Sequence, residues 1–296
     1  EASGDLHGSN LVKEIKKLDP NSKFRCWGGD LLKEQSDNLV KHYKNYSYMG
    51  FYEVFMNLGK ILNNISICKK DILKYKPDAI IYVDFPGFNM RIAKWAKSKN
   101  FVNHFYISPQ LWAWKENRIK TIRKVIHQMF VILPFEKDYY KKLKYDVIYV
   151  GHPLFDVLKK NVKENSNREK LIALLPGSRD QEISKILPLM LSVTKFFKNY
   201  QFTICAAPSK NKSFYERFIG SSDYENVNIV EDQTYNVLER SSAALVTSGT
   251  ATLEAALIKT PQIVCYKSSW ISILIGKFLL RNLRFISLVN LILNKG

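Results

Sequence analysis

Two strings in this chain combine residue types suited to gripping a phosphorylated ligand: LLPGSRDQEI at 174–183 and TSGTATLEAAL at 247–257. Each is an apolar run that passes through a small-residue loop into a helix-forming segment. A helix N-terminus reached through such a loop offers unpaired backbone N–H groups to an anion. Gly177 and Ser178 in the first loop, and Ser248, Gly249 and Thr250 in the second, are therefore candidate diphosphate ligands. Arg179 adds a guanidinium whose planar fork suits a pyrophosphate. Glu254 stands one helical turn beyond Thr250, where its carboxylate faces the same side and can accept hydrogen bonds from a ribose diol. Turn chemistry alone also accounts for each loop, with Arg179 then a solvated first-turn side chain.

Asp84 is the candidate for proton transfer. It ends the run AIIYVD and precedes Phe85, Pro86 and Gly87, at the C-terminal end of an expected strand, where open α/β sheets place reactive groups. Capping a helix that begins near Phe88 is the competing use. Ser3, Gly4 and Asp5 lie in a small-residue loop ahead of an amphipathic helix over about 5–18. They serve as an acceptor or phosphate loop, or as that helix's cap. Lys115 and Arg118, beside the WAW string at 112–114, form either a phosphate or acceptor surface or the rim of an aromatic core. His152 in VGHP is a ligand contact or, more commonly for such a residue, a satisfied structural histidine.

The elements that must position these groups are legible as alternation. Short Val-, Ile- and Tyr-rich runs at 24–27, 79–83, 102–107, 129–133, 147–150, 172–175, 202–206, 227–230, 244–246 and 262–266 are separated by segments of helical period. That alternation predicts an α/β fold with parallel, doubly wound sheets. The charged stretch LKKNVKENSNREK at 158–170 predicts an interdomain link. Two Rossmann-like lobes follow, 1–157 and 158–296, with the ligand expected in the cleft between them. A small-residue loop normally follows a strand, and none precedes Glu1. We therefore expect a fragment lacking the first strand at one end and some helices at the other.

Composition narrows the class. With 46% hydrophobic residues and few Gly and Pro, disorder is excluded. Lys and Arg (45) outnumber Asp and Glu (27), and the formal charge of +18 is spread along the chain. Such a field favours an anionic partner: nucleic acid, an acidic membrane surface or a phosphorylated substrate. Cys26, Cys68, Cys205 and Cys265 show no CxxC spacing, so reduced core thiols are expected, with neither zinc nor disulfides. WISILIG at 270–276 is too short to span a bilayer.

Nine segments taken together resemble one family, lipid-A-disaccharide synthase: EASGDLHGSNL at 1–11, MGFYEV at 49–54, VDFPGFN at 83–89, SPQLWAWKENR at 108–118, LPFEKDYY at 133–140, VGHPL at 150–154, LLPGSR at 174–179, TSGTATLE at 247–254 and SLVNLI at 287–292. Val289 stands where family members usually carry Pro. The resemblance implies a B-type glycosyltransferase architecture (GT-B) and an inverting transferase that uses no metal or other cofactor. Such an enzyme joins UDP-2,3-diacylglucosamine to 2,3-diacylglucosamine 1-phosphate through a β-1,6 bond and releases UDP. By the same resemblance Asp84 is the base and Asn290 belongs near the nucleotide, while Arg179 is the second catalytic residue because the diphosphate's charge must be met without a metal. It also implies a homodimer for the complete protein, and work at the cytoplasmic face of the inner membrane of a Gram-negative bacterium.

Substrates with acyl chains must be reached in a membrane. Phe51, Phe55, Leu58, Leu62 and Ile65 recur at spacings of three and four, with Lys60, Lys69, Lys70 and Lys74 nearby. A basic amphipathic helix of this kind suits an anionic lipid surface, or else packs on a sheet. Other readings are a UDP-N-acetylglucosamine 2-epimerase, which has the same paired loops, and a catalytically inert fragment. A nucleic-acid-binding role is disfavoured, since no zinc-finger spacing or RNP-like motif occurs.

Overall fold

Alternating short strands and helices can close a sheet only through crossover connections, and every strand pairing recorded is parallel. The computed structural model describes residues 2–43, 58–113, 115–161, 167–208, 210–220, 224–267, 285, 287–293 and 295. They fall into two compact units, Glu1–Gly151 and His152–Gly296. The helix Leu154–Asn161 crosses the expected 157/158 division, and its Leu154 and Leu158 are buried in the second unit's core.

In the first unit β1 (Arg25–Gly28) pairs with β2 (Asn38–His42), and β3 (Ala79–Val83), β4 (Val102–Tyr106), β5 (Gln128–Val131) and β6 (Ile148–Tyr149) form a sheet in sequence order. The strand β2 was not expected: NLVKH has no sustained apolar run, and all five residues keep some exposure. Asn103 on β4 is a structural centre. Its amide donates to the carbonyls of Ala93 and Val125, both at 3.0 Å, and its oxygen accepts the Tyr82 hydroxyl at 2.9 Å. One buried side chain thus ties β3 and β4 to the helices Pro86–Lys97 and Ile119–Val125.

The second unit orders its strands β11 (Gln262–Cys265), β10 (Ser241–Thr247), β7 (Glu169–Leu175), β8 (Gln201–Cys205), β9 (Val227–Val230). Winding runs outward from β7 in one direction to β9, then returns to β10 and continues to β11. The connections therefore part between β7 and β10, the switch point at which doubly wound sheets bind ligands beyond their C-terminal ends. Ala173, Leu174 and Leu175 on β7 and Ala244 and Val246 on β10 are buried, as strands covered on both faces must be. At the opposite edge Arg168 donates to the carbonyls of Ser241 at 2.6 Å and Lys259 at 2.8 Å. Its cation thereby meets carbonyl groups left over where helices end.

The helix Leu58–Tyr75 divides the expected apolar stripe. Ile65, Cys68 and Ile72 are buried against the first core, with Ile61 packed beside them. At 3.6 residues per turn Leu62 lies roughly a quarter-turn from the centre of that face, and it is 55% exposed. Ile65 is thus a core residue. Phe51, Phe55 and the Leu58 side chain lie outside the described residues, as does the WISILIG run. Among the described residues no helix is long and apolar enough to cross a membrane.

Replacing Asn103 with Leu leaves the Tyr82 hydroxyl and two carbonyls short of a buried partner. Urea unfolding is expected to show a loss of about 2–4 kcal/mol; a loss under about 1 kcal/mol would mean these bonds are idle.

Candidate active site

In the second unit the two expected loops emerge side by side, because β7 and β10 are hydrogen-bonded neighbours with Leu175 opposite Val246. Pro176–Arg179 follows β7 and leads into the helix Asp180–Thr194, with Arg179 as N-cap in extended conformation and its side chain exposed. Ser248 and Gly249 follow β10 and lead into the helix Thr250–Leu257. Gly177 has φ 109° and Gly249 φ 153°, backbone angles that L side chains rarely adopt. The space over Gly249 is open: a Cβ built there meets no atom within 4 Å. Among the described residues no side-chain cap is seen on the Thr250–Leu257 helix; the Thr252 N–H turns back to the Gly249 carbonyl at 3.1 Å, and a helix start of this kind suits an anion.

Glu254 lies in this helix and is mostly covered. Burial raises its carboxyl above the usual range, and the Tyr235 hydroxyl donates to Oε1 at 3.5 Å. The same environment pushes the Tyr235 phenol up to about 12, keeping it a neutral donor. Asn290 is brought to this unit by the helix Leu288–Leu293, which packs Leu288, Val289 and Ile292 on the second core. Its amide is used locally, donating to the Lys295 carbonyl at 2.8 Å. Next to the first loop, Asp180 pairs with Lys210, whose cation holds the carboxyl below its ordinary value. Beyond it Ala206, Ala207, Lys210, Asn211, Phe214 and Glu231 line a hollow of about 520 Å³ at the ends of β8 and β9, within the size range of small-molecule sites.

In the first unit Asp84 ends β3 in an unusual conformation. Asp84 (φ 45°) and Phe85 (φ 47°) are consecutive left-handed non-glycine residues, each costing about 1–3 kcal/mol that the surroundings must offset. Asn89 offsets it by donating to the Asp84 carbonyl at 2.7 Å and the Val83 carbonyl at 3.3 Å, while the Asp84 N–H reaches the Tyr106 carbonyl at 3.0 Å. The helix starts at Pro86, not near Phe88, with Phe85 as N-cap and no side-chain cap. Proline is pre-shaped for a first helical position, so Asp84 precedes the cap instead of supplying it.

The start of the chain departs from the expected loop. Ser3, Gly4 and Asp5 lie in the first turn of the helix Ala2–Leu18. Asp5 is buried, and its carboxylate accepts the N–H groups of Gly29 at 2.6 Å and of Leu31 and Leu32 at 3.1 Å. It therefore caps a different helix, Asp30–Gln35, which has no other side-chain cap. Gly4 passes the end of β3, where a Cβ would lie 4.0 Å from the Val83 carbonyl. This brings Ser3 and Gly4 beside the Asp84 turn. His152 has a structural use, its Nδ1 accepting the Leu154 N–H at 3.2 Å.

Other residues at these turns were not anticipated. Glu136 is 2% exposed and accepts the Ser108 hydroxyl at 2.7 Å, the Trp112 indole at 3.3 Å, and the N–H groups of Ile132 and Leu133. Burial raises its carboxyl despite these bonds. With the Tyr140 hydroxyl donating to the Pro109 carbonyl at 2.9 Å, it fastens the segment leading to Lys115 and Arg118. Those two cations are partly desolvated and lower in pKa than usual, Lys115 also through the nearby Arg118 charge.

The sequence model of the lipid-A-disaccharide synthetase family matches residues 1–296. Lipid-A-disaccharide synthase of Syntrophus aciditrophicus is 38% identical over 100% of this chain and 80% of its own length. Lipid-A-disaccharide synthase 1 of Legionella pneumophila is 34% identical, with the same coverage. Among solved structures, UDP-GlcNAc 2-epimerase from Neisseria meningitidis bound to UDP-GlcNAc aligns with TM-score 0.55 at 16% identity, covering 93% of this chain and 83% of that one. A glycotransferase of kitacinnamycin aligns with TM-score 0.59 at 11% identity, covering 88% and 77%. These likenesses extend to the fold, the paired Rossmann-like architecture of GT-B proteins.

Asp5→Ala strands the N–H groups at the start of the Asp30–Gln35 helix. Thermal melts are expected to show a stability loss of about 1–3 kcal/mol; an unchanged melting curve would return Asp5 to the list of ligand contacts.

Proposed function

The chain belongs to the lipid-A-disaccharide synthetase family, and from that premise we propose how its residues divide the family's reaction. The enzyme is a glycosyltransferase of lipid A biosynthesis, joining a UDP-sugar donor to a lipid acceptor to form the lipid A disaccharide. The epimerase alternative has no comparable support. In our reading the donor is UDP-2,3-diacylglucosamine and the acceptor 2,3-diacylglucosamine 1-phosphate. The second unit holds the donor, and the first serves the acceptor and the membrane.

The arrangement that supports the donor assignment most directly is the switch point, where the loops after β7 and β10 leave neighbouring strands. The donor's diphosphate carries two negative charges and gains a third as UDP departs with the electron pair of the anomeric bond. Arg179 and the N–H groups at the start of the Thr250–Leu257 helix meet that charge as the anomeric bond lengthens. Glu254 holds the ribose diol, with Tyr235 donating to its carboxylate. Since burial raises the Glu254 carboxyl, this role requires a pH high enough to keep it ionised. Asn290 approaches the nucleotide from its terminal helix.

Asp84 is the base. Its carboxylate takes the proton of the acceptor 6-hydroxyl while that oxygen attacks the anomeric carbon on the face opposite UDP. One C–O bond forms as another breaks, and the electron pair leaves with the diphosphate. The strained turn held by Asn89 supports this role, because strain of this kind persists where geometry serves function. Ser3 and Gly4, next to that turn, contact the acceptor. Lys115 and Arg118 form a surface for its phosphate.

UDP release with both diacylglucosamine substrates in detergent micelles, scored for disaccharide phosphate, tests these roles. Asp84→Asn is expected to keep UDP affinity and lower turnover by about 10²–10⁴-fold; near-normal turnover removes Asp84 as base. Arg179→Ala is expected to weaken UDP binding and rate together, by about tenfold or more, and unchanged UDP affinity would count against it.

Access to acylated substrates assigns the exposed flank of Leu58–Tyr75 to anionic lipid at the inner membrane. Leu62 and Leu73 are exposed there, with Lys70 and Lys74 following them around the helix surface. Co-sedimentation with anionic vesicles at low salt should fall for Leu62→Ser/Leu73→Ser, while equal binding by parent and variant would exclude this surface.

A further inference from the structure

Glu182 was not among the expected site residues, yet it touches both loops. We propose that Glu182 is a positioning residue that ties the two phosphate loops together across the switch point, so that they meet the diphosphate already in register. The inference rests on the assignment of these loops to UDP.

Its carboxylate has two oxygens and two partners. Oε2 accepts the Ser178 N–H at 3.3 Å, and Oε1 accepts the Thr247 hydroxyl at 3.2 Å. One side chain thus spans the loop after β7 and the last residue of β10. Thr247 is 4% exposed and immediately precedes Ser248 and Gly249, so holding its side chain fixes where the second loop begins. The seat for the carboxylate is made by Gly177: a Cβ there would lie 2.2 Å from Oε2. The glycine is thus required both by its φ of 109° and by the space that Glu182 fills. The Ser178 N–H is held within the protein, which leaves Arg179 and the Gly249–Thr250 segment to face the phosphates. Glu182 sets the spacing between those two groups, and displacements near 1 Å are enough to degrade such sites.

Glutamine separates positioning from charge. Its carbonyl can accept the Ser178 N–H while its NH₂ donates to Thr247, whose hydroxyl rotates to accept. Alanine removes both ties. Thr247→Val removes one tie at constant charge and nearly constant shape.

The experiment is calorimetric UDP titration of the full chain and its variants, with melting curves to establish that each folds. Glu182→Ala is expected to weaken UDP binding by about tenfold, and Glu182→Gln to remain within about threefold of the parent. Thr247→Val should fall between, and the Glu182→Ala/Thr247→Val double variant should bind no more weakly than Glu182→Ala, since one broken tie cannot break again. Parent-like binding by Glu182→Ala overturns the proposal, as does tighter binding by Glu182→Gln, which would mark the carboxylate as a mere occupant of the anion's place. Should Glu182→Ala fail to fold, Thr247→Val decides alone, parent-like affinity overturning the idea. If the parent itself binds no UDP, the nucleotide assignment falls and the inference falls with it; binding by the parent confines any failure to Glu182.

Discussion

The parallel pairing of β7 with β10 is the constraint on which the nucleotide-binding unit depends. Because these strands are sequential neighbours of nothing but helices, they can lie side by side only if the chain winds outward to β9 and returns. That return sends the two following helices to opposite faces and leaves their N-termini on either side of a crevice. Small-residue loops then follow from the need to turn sharply from a buried strand into a helix. Arg168 closes the opposite edge of the same pair by satisfying carbonyls near Ser241 and Lys259, so the pairing is held at its base while its C-terminal end stays open.

The first unit solves a related problem with a different device. It presents a carboxylate at the end of β3 through two successive left-handed residues rather than a glycine. The Asn89 amide and the β4 backbone hold that turn from both sides. Buried polar groups do similar work nearby: Asn103 joins strands to helices, and Glu136 fastens the segment after β4. Such groups are costly to bury unless each bond is made, and here their bonds run between elements distant in sequence.

Much of this was legible in the residues. The runs AIIYV and VNIV became strands at the expected limits, and others shifted by one to three residues, most where polar ends such as Glu169 and Ser241 joined the ladder. β2 escaped because its apolar content is low and its pairing with β1 supplies what its composition does not. The loops at Gly177 and Gly249 were legible because glycine at a strand-to-helix junction has few other uses. Asp5 and Ile65 were less so. Sequence places Asp5 ahead of one helix, but its hydrogen bonds go to another across twenty-four to twenty-seven positions. Ile65 and Leu62 are equally apolar, and only packing separates a core face from its flank.

Local sequence determined the order and type of most elements, the family, and the residues with chemistry at strand ends, because hydrophobic period and turn chemistry act over a few residues. Tertiary structure alone decided which ends are neighbours, which carboxylates are spent on backbone N–H groups, and that Glu182 reaches Thr247 across 65 positions. Those outcomes depend on distances between segments remote in the chain, and a side chain's partners exist only once the strands that carry them have paired.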